Sequence, residues 1–321
     1  MLVLSENDVS KLLDIPSAIQ RIDEAFRELD QKKVISPGRL RILVPGSSGS
    51  IRLMPAVLQE SKASGLKVLT GTAGKRRAGQ NYFLIILVDF DDGAVKCIMS
   101  AERLTQLRTG AVSAVATMHL ARKDAKTIGI IGAGVQGQGQ LEAICSVLKP
   151  EGGYVFDLYP ETAKKLSKFA KENLGVDLEV VGDVRAAAKA DVLATATTSS
   201  APILDSSMIH EGTHINAIGS NLPSRKELDI SILKSAKVIV DSQAQAIEES
   251  GDLEPFRDGT LSPNSIYAEL SEIVGGSKQG RTSDSEITVF KSVGIALQDI
   301  ATAELLYERA LQRGLGTTIQ L

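Results

Sequence analysis

The sequence predicts an α/β protein: a doubly wound parallel sheet joined to an α+β unit whose strands are mostly antiparallel. Three observations predict it. At 321 residues the chain exceeds what one hydrophobic core usually serves, so two domains are expected. Residues 38–100 are rich in strand patterns and turns, whereas the chain beyond residue 127 alternates strand with helix. Between the two lies "TIGIIGAGVQGQGQ" (127–140), an apolar strand running into a glycine loop and then a helix.

Element by element, Ser5 is placed to cap a short helix, "ENDVSKLLD". A longer helix follows Pro16, with Ile19, Ile22, Phe26 and Leu29 on one face, and "ISPG" ends it. "RLRILVPGSSGSIRLMPAVL" reads as two strands around a Gly/Ser turn and "SGLKVLTG" as a third. "YFLIILVDFDDGAVKCIMS" reads as a hairpin closed by Asp-Asp-Gly. "RTGAVSAVATMHLA" (108–121) reads as an Ala-rich helix opened by Arg108. Then follow strand "TIGIIG", helix "GQGQLEAICSVL", strand "GYVFDLY", helix "PETAKKLSKFAKENL", strand "LEVV" and helix "VRAAAKA". Strands "DVLATATT", "THINAIGS", "AKVIVD" and "EITVFK" complete the sheet. A last helix, about Ala296 to Arg313, is expected to return to the first domain. The expected domains are 1–112 with 300–321, and 113–299.

Composition narrows the function classes. Hydrophobic residues are 43% and charged residues 23%, as in soluble globular proteins. A net charge of −3, with aromatics at 4% and no Trp, offers no nucleic-acid surface. No apolar run reaches the roughly 18 residues that span a bilayer, and "MLVLSENDVSKLLD" meets acidic residues too early for a signal peptide. A cytoplasmic protein is expected. Cys97 and Cys145 read as buried free thiols. His119, His210 and His214 form no triad, and no cluster has metal-ligand spacing, so no metal is expected. "KKLSKFAKE" and "GKRRAG" read as solvated charge.

The loop Gly132-Ala133-Gly134-Val135-Gln136-Gly137 is a full GxGxxG between strand and helix. Gly132 permits the tight turn, Gly134 lets a pyrophosphate approach the backbone, and Gly137 lets helix and strand pack closely. The helix N-terminus supplies N–H groups and a positive dipole end to phosphates. Asp157, 20 residues after Gly137, ends the next strand and is placed to accept the ribose hydroxyls. Its charge favours NAD over NADP, and Leu158, Tyr159 and Pro160 supply no Arg to reverse this. This is the signature of a Rossmann doubly wound parallel sheet binding NAD (NADH).

With this loop occur "LRTGA" (107–111), "GTHINAIGSN" (212–221), "KELD" (226–229) and "ITVFKSVGIALQD" (287–299). Together they resemble the ornithine cyclodeaminase/μ-crystallin family, which includes an archaeal-type alanine dehydrogenase; the resemblance covers essentially the whole chain. It implies a homodimer built through the first domain, and substrate in a cleft beside NAD(P). Members reduce imines of small amino acids, oxidise the amino acids back, or cyclise ornithine with loss of ammonia; some mainly bind a ligand.

Arg52 and Lys67 are basic residues flanked by apolar ones in strand patterns. A buried charge needs a partner, and a substrate carboxylate is such a partner. Alternation alone also allows both to face solvent; the resemblance favours the pocket. It further implies that Arg108 contacts the substrate carboxylate and that Thr109 lies near the cofactor phosphates. Arg39 and Arg41 are further candidates. Lys67 is the expected general acid/base, because desolvation and neighbouring Arg charges lower a lysine toward neutrality. In Gly219-Ser220-Asn221, Asn221 stands where cyclodeaminases carry a catalytic Asp. An amide cannot take a proton at neutral pH but can orient a water or an amine. Tyr82 replaces a Thr that lies near substrate in relatives. Thr195 and Thr197 end a strand of the parallel sheet, where ligands bind. The resemblance brings the "KSVG" run, with Ser292 and Val293, toward the nicotinamide; Lys291 either joins the pocket or balances local charge. Gly219 and Ser220 are further cofactor candidates.

The expected function is an NAD(H)-dependent amino-acid dehydrogenase or imine reductase acting at the α-carbon of a small 2-imino or 2-oxo acid. Arg52 and Arg108 would hold the carboxylate and Lys67 move the proton. Candidate substrates are pyruvate with ammonia, pyrroline-2-carboxylate and iminosuccinate. The alternatives are an ornithine cyclodeaminase, disfavoured by Asn221, and a non-catalytic NAD(P)H-binding protein of the μ-crystallin kind.

Overall fold

The computed structural model describes residues 1–46, 49–72 and 81–320. The "GKRRAG" run (74–79) therefore lies outside the described residues. The chain forms two compact units, Met1–Arg108 with Ile295–Leu321, and Thr109–Gly294. The divisions fall a few residues before those expected at 112/113 and 299/300, and Asp299 thereby belongs to the first unit.

In the first unit, β1 (Leu2–Leu4) leads to α1 (Glu6–Leu12). Ser5 and Asp8 cap α1 reciprocally: the Asp8 N–H donates to Ser5 Oγ and the Ser5 N–H to Asp8 Oδ2. Helix α2 (Ile15–Asp30) buries Ile19, Ile22 and Phe26 as expected. Glu28 is buried in preference to Leu29; its carboxylate accepts the Glu60 N–H at 2.6 Å and the Ser61 hydroxyl at 3.1 Å. Strands β2 (Val34–Ile35), β3 (Leu40–Leu43), β4 (Gly49–Leu58), β5 (Ala63–Thr72), β6 (Asn81–Val88) and β7 (Val95–Ser100) follow. The β6–β7 hairpin closes where the Asp89 carboxylate accepts the N–H groups of Asp91 and Asp92, and Gly93 has φ +78°.

Helix α3 runs from Glu102 to Leu120, so Arg108 lies inside it and does not open it. The early start has a non-local cause. Glu6, from α1, accepts the N–H groups of Glu102 and Arg103 at 3.3 and 2.6 Å, so the capping carboxylate is distant in sequence.

The second unit continues with β8 (Thr127–Ile131), α4 (Val135–Leu148), β9 (Gly152–Phe156), α5 (Pro160–Phe169), β10 (Leu178–Val180), α6 (Val184–Ala187), β11 (Val192–Thr195) and β12 (His214–Ala217). Then come α7 (Ile230–Ser235), β13 (Lys237–Val240), α8 (Gln243–Glu249), α9 (Glu254–Arg257), β14 (Ala268–Glu269), α10 (Leu270–Gly275) and β15 (Thr288–Lys291). The sheet is parallel, in the order β10-β9-β8-β11-β12-β15-β13-β14. The strand order reverses at β8, and the carboxyl ends of β8 and β11 are where sheets of this order bind ligands. Apolar clusters fill the unit, for example Ile128, Ile130, Leu141 and Val155, and Leu193, Ile215, Val238 and Val289.

The chain re-enters the first unit with α11 (Ala296–Arg313) and β16 (Thr317–Thr318). That unit's sheet has the order β16-β1-β7-β6-β5-β4-β2, with β3 also on β4. Helix α11 packs over β4, β5 and β6 and against α2. Met54, Ala56, Leu58, Ile85, Leu87, Cys97 and Met99 are buried on the sheet's covered face. Cys97 and Cys145 are free and buried, and burial pushes both thiols up to about 12. Among the described residues no helix is long and apolar enough to cross a membrane.

Candidate active site

The first unit gathers a buried cationic cluster around Lys67. In the ladder Lys67 pairs with Met54 of β4 and Ile85 of β6, both buried. Directly opposed residues share a face, so the register turns Lys67 inward under α11. Arg52 lies two positions from Met54 and so shares that face; it is half-buried and opposite Leu69. The same register corrects Tyr82. Tyr82 pairs with Thr70, one position out of phase with Lys67, so it lies on the opposite, exposed face. Its neighbour Phe83 takes the inward position, with its ring centroid 5.1 Å from Lys67 Nζ.

Lys67 Nζ donates to Asp299 Oδ1 and to Thr105 Oγ1, each at 2.7 Å. Arg108 Nε donates to the same Asp299 oxygen at 2.9 Å, and Arg108 Nη1 donates to Gln298 Oε1. Lys67, Arg108, Gln298 and Asp299 are all buried. Asp299 Oδ2 and Gln298 Nε2 are buried without a hydrogen-bond partner. Lys67 is pushed down to about 7: burial is the main cause, Asp299 opposes it, and the Arg108 and Arg39 charges add to it. The expected lowering is present. The opposing carboxylate is not among the candidates read from the sequence. Asp299 sits in the first turn of α11, where Gln298, Asp299, Thr302 and Glu304 are polar residues on the buried side of the helix. Those polar residues are the signal that could have found it.

In the second unit the three glycines of the loop separate by environment. Gly132 has φ +93°, and a Cβ there would stand 2.7 Å from Ala196 O. A Cβ on Gly137 would stand 2.0 Å from Gly132 O. At Gly134 nothing lies within 4 Å, and no side chain caps helix α4 there. The loop is thus tight where it packs and open where a phosphate would approach. Val135 is exposed and Gln136 half-buried beside that opening. The Asp157 carboxylate accepts the Ala133 N–H at 2.8 Å and the Tyr159 N–H at 2.9 Å, so it braces the loop from the end of β9. Each oxygen retains a lone pair for a ribose hydroxyl. Thr109 O accepts from the Gln140 side chain at 3.0 Å, and a Cβ on Gly110 would stand 2.2 Å from Gly139 O, so "RTGA" seats α3 against α4.

Several expected site residues have side chains engaged in internal contacts. Thr195 is fully buried and donates its hydroxyl to Glu227 Oε2 at 2.8 Å. Glu227 also accepts the N–H groups of Thr197 (2.6 Å) and Gly219 (2.8 Å). A Cβ on Gly219 would strike Glu227 Oε1 at 2.3 Å, so Gly219 is a packing glycine. Burial pushes the Glu227 carboxyl upward. Ser220 is fully buried; its hydroxyl donates to Arg225 O and meets Ser250 Oγ at 3.0 Å. Ser292 donates its hydroxyl to Asp241 Oδ2 at 2.7 Å, and that oxygen also accepts the N–H groups of Val293 and Gly294. The Val293 side chain packs in the core. Lys291 is fully buried with its Nζ 3.1 Å from Asp252 Oδ2, an ion pair without hydrogen-bond geometry, so of its two expected roles the structure shows charge balance. Asn221 is half-buried, its Oδ1 3.4 Å from Arg225 Nη1.

The ornithine cyclodeaminase/mu-crystallin family profile matches residues 1–314. The chain belongs to this family. It is 38% identical to a Delta(1)-pyrroline-2-carboxylate reductase of Bacillus cereus over 325 residues, covering 100% of both chains. The structure of the Thermococcus litoralis Delta(1)-pyrroline-2-carboxylate reductase in complex with NADH and L-proline superposes with a TM-score of 0.95 at 41% identity, covering 99% of this chain and 100% of that one. An archaeal alanine dehydrogenase dimer with bound NAD gives 0.94 at 35% identity, covering 100% of this chain and 99% of that one. Within the family frame "KELD" has a structural reading: Glu227 ties the ends of β11 and β12, and Asp229 caps α7 through the Ser231 N–H at 2.8 Å.

Proposed function

We propose that the chain is an NAD(H)-dependent imine reductase and amino-acid dehydrogenase. It acts at the α-carbon of a small 2-imino or 2-oxo acid, with Delta(1)-pyrroline-2-carboxylate the first substrate to test. The observation that carries this reading is Lys67, an ammonium brought to about 7 inside a cluster of guanidinium groups. A lysine so placed can protonate an imine nitrogen near neutral pH. Arg52, together with Arg108 Nη2, holds the carboxylate. The open backbone at Gly134 and the brace from Asp157 suit a pyrophosphate and its ribose. When bound, the reduced nicotinamide supplies hydride to the imine carbon. The nitrogen takes its proton from Lys67, so C=N becomes CH–NH with charge balanced. Asn221 orients the amine or a water. Its amide cannot replace a carboxylate base, which argues against ornithine cyclisation.

We also infer a homodimer. Leu40, Ile42, Ile51, Tyr82 and Leu84 are exposed together on the outer face of β3, β4 and β6, and grouped exposed apolar side chains mark an interaction face. Buried free thiols suit a reducing compartment, and we place the enzyme in the cytosol.

The test is NADH oxidation with Delta(1)-pyrroline-2-carboxylate, with pyruvate plus ammonia, and with iminosuccinate. Ornithine is run beside them with ammonia detection. Turnover of at least one imine is expected. Sustained ammonia release from ornithine, or binding of NADH with no imine turned over, overturns the reading.

A further inference from the structure

We propose that Asp299 is a positioning residue whose carboxylate ties Lys67 to Arg108, holding the lysine in a proton-transferable state and limiting what the arginine offers to substrate. The inference rests on the reductase reading above. One oxygen, Oδ1, receives both Lys67 Nζ at 2.7 Å and Arg108 Nε at 2.9 Å. With Nη1 donated to Gln298, Nη2 is the guanidinium nitrogen that neither partner uses. Arg108 therefore cannot grip a carboxylate with the paired Nε/Nη2 edge; what it offers is Nη2 and the second Nη1 hydrogen, and Arg52 on the sheet face is the further cation for the carboxylate.

Among the described residues, Lys67 is faced from several elements. Arg39 precedes β3, Arg52 lies on β4, Arg108 and the Thr105 hydroxyl come from α3, the Phe83 ring from β6, and Asp299 from α11. The acid among them is Asp299. Burial and the Arg108 and Arg39 charges drive the lysine toward the neutral amine, and the Asp299 carboxylate is the charged group that pulls the other way. Without it Lys67 would be deprotonated at neutral pH and have no proton to give. An uncharged side chain of the same size would have no such effect.

The test reads Lys67 directly. The protein is labelled with [ε-13C]lysine, and the Lys67 resonance is assigned by its loss in Lys67→Met. Asp299→Asn is expected to lower the Lys67 midpoint by one pH unit or more, the usual effect of losing an opposite charge in contact. Arg108→Gln is expected to raise it, because Asp299 then acts on Lys67 alone. Asp299→Glu, which keeps the charge, should return the midpoint most of the way. In turnover, the alkaline limb of kcat for imine reduction should move in the same direction in each variant, with NADH affinity unchanged. A midpoint unmoved in Asp299→Asn, or in Arg108→Gln should the first variant not fold, overturns the proposal. A wild-type enzyme that turns over no imine overturns the functional reading and leaves the NMR shift to judge Asp299 separately.

Discussion

A Cβ added to Gly137 would stand 2.0 Å from the carbonyl oxygen of Gly132, whereas one added to Gly134 would meet nothing within 4 Å. The two glycines of one motif therefore have different reasons to lack a side chain. Gly137 serves the contact of helix α4 with strand β8. Gly134 leaves room for a ligand.

This separates two variants. Gly137→Ala must push backbone against backbone and should lower Tm by several degrees whether or not nucleotide is present. Gly134→Ala sits at φ −74° in open space and should leave the apo Tm unchanged. It should instead weaken NADH binding at least tenfold by keeping the pyrophosphate off the main chain. Thermal unfolding and fluorescence titration read the two effects. A stable Gly137→Ala chain with full affinity would contradict the packing argument.

Asp157 braces Ala133 and Tyr159 as well as being placed for ribose, so removing the whole side chain would loosen the loop for any nucleotide. Asp157→Asn is the cleaner change, since the amide oxygen can keep one of those bonds. Loss of a charged hydrogen bond, about 1.5–3 kcal/mol, corresponds to roughly ten- to hundredfold weaker NADH binding. NADPH, whose 2′-phosphate the carboxylate repels, should lose far less. Equal losses for both nucleotides would remove the assigned NAD preference.

The apolar outer face can be tested by charge. Ile42→Asp with Leu84→Asp places two carboxylates where Ile42 and Leu84 are exposed, so the isolated subunit should fold unchanged. Sedimentation should then report a monomer where the wild type reports a dimer. An unchanged sedimentation coefficient would assign that face another role.

How far the sequence could be read depends on whether the deciding contact is local. The glycine loop, the hairpin at Asp89 and the Ser5 cap were legible because each is settled by residues a few positions apart. The start of α3 was not, because Glu6 supplies its cap across 97 residues. Tyr82 and Phe83 show how sharp the limit is. Apolar run and strand were both readable, but a one-residue uncertainty in register exchanges the two faces, and only the ladder that sets Ile85 opposite Lys67, Phe83 opposite Leu69 and Tyr82 opposite Thr70 resolved it. Thr195 was a candidate because ligands bind at the ends of parallel strands, Ser220 was a further cofactor candidate, and Lys291 was open between the pocket and local charge balance. Their partners Glu227, Ser250 and Asp252 lie about 30 to 40 positions away in loops whose course no periodicity reveals.

Lys291 yields a prediction of its own. The Lys291–Asp252 pair is fully buried, and Asp252 Oδ1 accepts the Glu227 and Leu228 N–H groups at 2.6 and 3.0 Å. Lys291→Met would leave Asp252 buried without its cation. Breaking one side of such a pair usually costs about 3–5 kcal/mol. Lys291→Met with Asp252→Asn should recover much of that loss in urea unfolding. Were Lys291 a substrate ligand, KM would rise with stability unchanged.

Lys67→Met tests chemistry and linkage together. Removing a general acid should lower turnover about 10²- to 10⁴-fold while NADH still binds in the second unit. The stability effect has a definite sign. The ammonium titrates near 7 in the folded chain, down from an ordinary 10.5. Below pH 7 both states carry the proton and the full burial penalty falls on the folded state. Between about 7 and 10.5 the unfolded chain binds more protons, so Lys67 contributes stability that rises with pH. The wild type should therefore gain Tm relative to Lys67→Met as pH goes from 7 toward 10. A Tm difference independent of pH across that window would mean that Lys67 is not depressed in the folded state, and its assignment as proton donor near neutrality would fail with it.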